Sequence, residues 1–140
     1  MKKFIVVLNK KVNDYEFGEK RDIVRKKIGE EFKEYKKTIY DVNTTDAYKG
    51  YHVFYDDNNK FEAIEIYDGE IYCEGMKIFP GTVENAKKVI DDLIEDDFGI
   101  ISEKYSVGIT TSEDNEDDID VILFGRKDYY KLWIVGDLHE

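Results

Sequence analysis

Three times along this chain, two short runs rich in β-branched and aromatic residues flank a turn-rich segment. No other feature constrains the fold as much. Tyr51–Tyr55 and Phe61–Tyr67 flank DDNNK (56–60), Glu70–Cys73 and Lys77–Phe79 flank Glu74-Gly75, and Tyr105–Thr110 and Ile119–Phe124 flank a polar stretch containing SEDNEDD (112–118). Such runs bounded by Asp, Asn and Gly read as antiparallel hairpins. Lys3–Leu8 reads as a first strand and Lys131–Val135 as a last one. Composition leans the same way: Ile, Val, Tyr and Phe total 46 residues, while Leu and Ala total 8. The first group suits a pleated sheet and the second contains the best helix formers. An AT-rich genome would also enrich Ile and Tyr, so the hairpin pattern carries the argument.

Two segments carry a helical period instead. In TVENAKKVIDDLIE (82–95), Val83, Ala86, Val89, Ile90, Leu93 and Ile94 fall on one apolar stripe, with Thr82 placed to cap the start and Gly99 to stop the helix. From about Glu19 to Ile28, the residues Ile23, Val24 and Ile28 share a face, and Gly29 ends the helix. Each helix precedes a hairpin. FGEKRDIVRKKI (17–28) and FPGTVENAKKVI (79–90) are weakly alike, as are the hairpins 50–69 and 104–125. The expectation is a single α+β domain over 1–140: one curved antiparallel sheet of hairpins, two main helices on one face, and a tandem α-then-ββ unit.

Ile, Val, Phe and Leu number 40 of 140 residues, well above the ~20% that marks disordered chains. Pro80 is the sole proline, and no Gly/Ser-rich linker divides the chain. The longest strongly apolar run near either end, Phe4–Leu8, is far short of the ~20 residues that span a bilayer. It is also shorter than a signal-peptide core, and Lys10-Lys11 follow it without a cleavage site. Cys73 is the only cysteine, which excludes an intramolecular disulfide. Cytoplasmic location without a membrane partner is the expectation.

Motifs for catalysis are missing. His52 and His139 are the only histidines, and there is no GxSxG, HExxH, P-loop or GxGxxG. Cys73 and His52 fall in expected strands, where each reads more readily as an ordinary strand residue than as nucleophile or base. Three Cys/His residues in all are too few for a typical four-ligand zinc site. An EF-hand loop needs Gly sixth, but counting from Asp114 or Asp57 gives Ile119 or Glu62. No catalytic residue, metal or cofactor is expected. The rival reading is an enzyme with a carboxylate-lined divalent-metal cleft, since 32 acids leave room for one. A structural or adaptor subunit is a third.

Charge is the informative feature that remains. With 21 basic and 32 acidic residues the net charge is −11, which argues against a nucleic-acid partner. Residues 1–40 carry +5, residues 41–140 carry −16, and −10 of that lies within 84–120. Asp114, Glu116, Asp117 and Asp118 stand in a stretch without apolar residues, so they should be solvated. Asp91, Asp92, Glu95 and Asp96 lie mainly off the apolar stripe of the expected second helix. Facing one way, the two sets would form a single negative patch that steers a basic protein into contact. The plainer reading is an acidic surface that only keeps the protein soluble. Tyr129, Tyr130 and Trp133 form a second candidate surface, because Tyr and Trp are enriched at binding hot spots; they also suit a β-rich core.

TTDAYKGYHVFYDDNNKFEAIEI (44–66), with IGEEFKEYKKT upstream (28–38) and VILFGRKDYY downstream (121–130), resembles a widespread set of small bacterial proteins. Some of these are described as immunity proteins of toxin–immunity pairs. The likeness runs from about Gly18 to Tyr130 and rests on strand and turn residues, so it implies fold more than activity. The two-unit layout is similar to that of the beta-lactamase inhibitory protein. The resemblance carries over no binding residue. It implies a non-catalytic antitoxin whose partner is a protein toxin with a basic surface, blocked by direct contact.

Overall fold

A computed structural model describes residues 2–36, 38–40, 43–97 and 99–130. The chain runs through β1 (Lys3–Val7), β2 (Lys11–Val12), β3 (Tyr15–Glu16), α1 (Arg21–Ile28) and a meander of β4 (Lys33–Tyr35), β5 (Thr45–Tyr48), β6 (Tyr51–Tyr55) and β7 (Phe61–Ile66). It continues through β8 (Glu70–Cys73), β9 (Met76–Phe79), α2 (Val83–Ala86) and a second meander of β10 (Ile94–Asp96), β11 (Gly99–Ser102), β12 (Val107–Thr111) and β13 (Ile119–Gly125). The fold is α+β with mostly antiparallel strands. Two sheets form where one curved sheet was expected. The larger has the order β10-β11-β12-β13-β7-β6-β5-β4, and the smaller β3-β2-β1-β8-β9, in which β1 and β8 are parallel. The strand after the first meander, β8, departs to the smaller sheet, which local hairpin signals cannot reveal.

The order of strands, helix and four-stranded meander thus occurs twice. The same pair of backbone bonds ties each helix to the hairpin that follows it. The Arg21 N–H donates to the Asn59 carbonyl (2.9 Å) and the Phe61 N–H to the Glu19 carbonyl (2.8 Å). In the second half, the Val83 N–H donates to the Asp117 carbonyl (2.8 Å) and the Ile119 N–H to the Gly81 carbonyl (3.0 Å). Between the halves, the helix positions shift by 62 residues and the hairpin positions by 58.

The first helix follows its sequence: α1 buries Val24 and ends at Gly29, whose left-handed backbone (φ 64°) suits glycine. The second does not. Thr82 caps α2, its Oγ accepting from the Asn85 N–H at 3.1 Å, but the helix stops after one turn at Ala86. The expected helix to Glu95 is replaced by turns that still bury Ile90 and Leu93, and by β10, where Ile94 is 63% exposed. A tertiary contact opposes the helix: the Asp92 carboxylate accepts from the Ser102 hydroxyl (2.6 Å) and the Lys104 N–H (3.2 Å), which holds the chain in a loop. So the helical layer is α1 plus a single turn. The expected strand Lys131–Val135 lies outside the described residues.

One main core joins both sheets and both helices, through Phe4, Val24, Tyr51, Ile71, Ala86 and Ile122 among others. A small second cluster of Phe54, Ala63 and Tyr129 sits elsewhere, reached by strand positions that alternate with the main-core ones. Against the main core lies a buried ion pair. The Arg25 guanidinium donates from Nε and Nη2 to both Asp46 oxygens, each at 2.7 Å, and from Nη2 to Glu34 at 2.7 Å. Asp46 is fully buried, Arg25 is 22% exposed at its side chain, and the guanidinium rests 4.5 Å from the centre of the Phe32 ring. This clamp fixes α1 over β4 and β5.

Removing Arg25 strands a buried carboxylate, whereas removing Asp46 leaves an arginine still paired with Glu34. Arg25→Met should therefore cost about 3–5 kcal/mol, and Asp46→Asn less, as read from urea unfolding midpoints. Buried phenols give a second test. Burial pushes the Tyr48 hydroxyl from 10.0 up to about 12, and raises Tyr15, Tyr51 and Tyr55 as well. Phenols that ionise later when folded favour the native state fully below pH ~10, and that contribution is lost as pH rises through ~12. Stability should fall over this window, with a shallower slope in Tyr48→Phe.

Candidate functional site

An antiparallel meander puts alternate turns at the same end of its sheet. The acidic turn 112–118 joins β12 to β13. The β10–β11 turn follows Asp96, which pairs with Gly99. Because Ile100 pairs with Ile109, and Thr111 with Ile119, both turns project from one end of the large sheet, two strands apart, or about 10 Å.

Eight acids gather there: Glu95, Asp96 and Asp97 from one turn, and Glu113, Asp114, Glu116, Asp117 and Asp118 from the other. Neither 94–97 nor 112–118 contains Lys or Arg. Glu95, Asp97 and all five acids of the second turn are exposed. The turn at 112–118 is internally braced. The Ser112 N–H donates to the Asp118 carbonyl (2.9 Å), the Asp118 N–H to the Asn115 carbonyl (3.1 Å) and the Asp117 N–H to the Asn115 side chain (3.0 Å). The Val83–Asp117 bond then ties it to α2. The charges are therefore presented on an ordered support.

The other half of the expected patch is divided. Glu95 and Asp96 join the turn acids at one end. Asp91 and Asp92 precede β10 and lie at the opposite end, where Asp92 is engaged with Ser102 and Lys104. The division follows from the short second helix: a strand reverses the exposure that a helix would have given these residues.

Of the aromatic candidates, Tyr129 and Tyr130 meet edge to face with ring centres 5.2 Å apart. Tyr129 is buried against Phe54 and Ala63. It fits there because Gly125 has no side chain; a Cβ at that glycine would come within 2.7 Å of the Tyr129 ring. The hydroxyl end of Tyr130 lies over Gly108, in space a Cβ would fill. Both cover the sheet face opposite the main core. Trp133 lies outside the described residues.

Sequence reasoning missed one concave feature. An open groove of about 760 Å³ is lined by Glu30, Phe32, Lys33, Tyr48, His52 and Tyr67 among others. Beside it the Tyr35 hydroxyl lies 2.9 Å from His52 Nδ1, and His52 meets Tyr67 edge to face at 5.5 Å. These residues come from four separate segments, so no local spacing marks them. Among the described residues no group of three or more His, Cys, Asp or Glu is placed to hold a metal ion. Cys73 is fully buried, and burial, aided by Glu74, pushes its thiol up to about 12.

If Tyr129 acts by packing, Tyr129→Ala should lower the unfolding free energy by about 3 kcal/mol, measured by denaturant titration. A loss below 1 kcal/mol would remove it from the core. Comparison with known protein families, with curated proteins and with solved structures finds no match to this chain.

Proposed function

We propose that this protein is a non-catalytic binding protein that neutralises a bacterial protein toxin in the cytoplasm, by covering the toxin's basic surface with the acidic end of its large sheet. One observation carries the reading: eight acidic residues, on two segments that contain no Lys or Arg, lie at one end of the sheet. The resemblance of residues 18–130 to small immunity proteins supplies the class of partner. A concentrated field on an ordered support speeds the encounter with an opposite charge, and charges at the rim of a contact act mainly on association rate.

The test is Asp114→Lys combined with Glu116→Lys and Asp118→Lys. Asp117 is left intact, because its carboxylate faces the Glu84 N–H at 3.4 Å. The partner to test is the C-terminal domain of a large secreted protein, sought in the gene directly upstream. The variant should associate about tenfold more slowly at low salt, with a smaller difference at high salt, and should fail to rescue growth of cells expressing that domain. Unchanged association and full rescue by the folded variant would reduce the acidic end to a solubilising surface.

A further inference from the structure

Among the described residues, one side edge of the large sheet runs up to that acidic end. β10 is its outermost strand among the described residues, hydrogen-bonded on one side only, to β11. The opposite edge strand, β4, has its side chains engaged: Glu34 pairs with Arg25 at 2.7 Å, and Tyr35 meets His52 at 2.9 Å. β4 also carries Lys33, with Lys36 just beyond it, and lysines at an edge discourage strand pairing. β10 (IED) carries no lysine. Ile94 is 63% exposed, and the exposed Glu95 side chain makes no hydrogen bond or ion pair with any described residue. An apolar side chain on an edge strand, beside unpaired backbone N–H and C=O groups, is the arrangement that accepts an added strand.

We infer that β10 is a strand-addition site, and that its occupant is an extended cationic segment of the partner protein, with apolar and basic side chains in alternation. Backbone pairing supplies the affinity. An apolar residue of the incoming strand covers Ile94, which shares its face with Ile101, and basic residues lie across from Glu95. Opposite charges paired across strands favour this occupant, and like charges exclude an acidic strand. The seven neighbouring acids select among segments that could pair; they do not themselves form the site. The inference rests on the proposed function, since it names how the partner is held at the acidic end.

Two probes separate pairing from charge attraction: an alternating Lys-Val hexapeptide, and the same peptide N-methylated at every second residue, which keeps its charge but cannot join a sheet. Amide NMR of the intact protein should show the first peptide shifting Ile94–Asp96, and the methylated form should bind at least about tenfold more weakly. Ile94→Lys, verified as folded by circular dichroism, should lose binding to a similar extent, because it places a gatekeeping charge on the edge. Equal binding of the two peptides, shifts centred on Lys33–Tyr35, or no binding would each overturn strand addition. The charge-reversal result on the turn is independent of these outcomes. Slower association there, with equal binding of both peptides here, would leave the electrostatic reading standing and remove only the strand.

Discussion

The antiparallel junction of β7 with β13 is the interaction on which the rest of the molecule depends. Each half of the chain makes a four-stranded meander whose last strand would be an open edge. Pairing Ile66 with Ile122 and Ile64 with Phe124 closes both edges at once and buries all four side chains in the main core. On the opposite face Ala63 lies across from Gly125, and the small pair makes room for Tyr129. The parallel pairing of β1 with β8 links the halves a second time, through the smaller sheet. Two helix-to-hairpin tethers of the same pattern then fix α1 and α2 to their own halves.

Charge segregation follows from this geometry. In an all-antiparallel sheet the turns alternate between the two ends, so residues far apart in sequence share an end whenever an even number of strands separates them. Glu95–Asp97 and Glu113–Asp118 are brought together in that way. Asp91 and Asp92, only a few residues before Glu95, are carried to the opposite end. The acidic surface is thus a property of strand order, and the closely braced turn at 112–118 keeps it in place. β10, the outermost strand among the described residues, lies next to it for the same reason.

Hairpins at 51–67, 70–79 and 105–124 are fixed by alternation and by their turn residues, and α1 by its apolar face and Gly29. Six strands escaped notice. β2 and β3 have two residues each, and β4 (KEY) and β5 (TDAY) lack an apolar period. β10 overlaps the end of the helical spacing at 82–95, which the fold satisfies with turns, and β11 (GIIS) is a four-residue run without alternation.

The sequence by itself determined the α+β class, the acidic balance and the solvated character of SEDNEDD, because composition, period and turn chemistry act within a few residues. Only the tertiary structure decided that there are two sheets, that 87–95 is not helical, that the Arg25–Asp46 pair is buried, and which acids share an end. Those outcomes depend on pairings between segments tens of residues apart. The free energy of such a pairing resides in buried area and in partners that no local window contains.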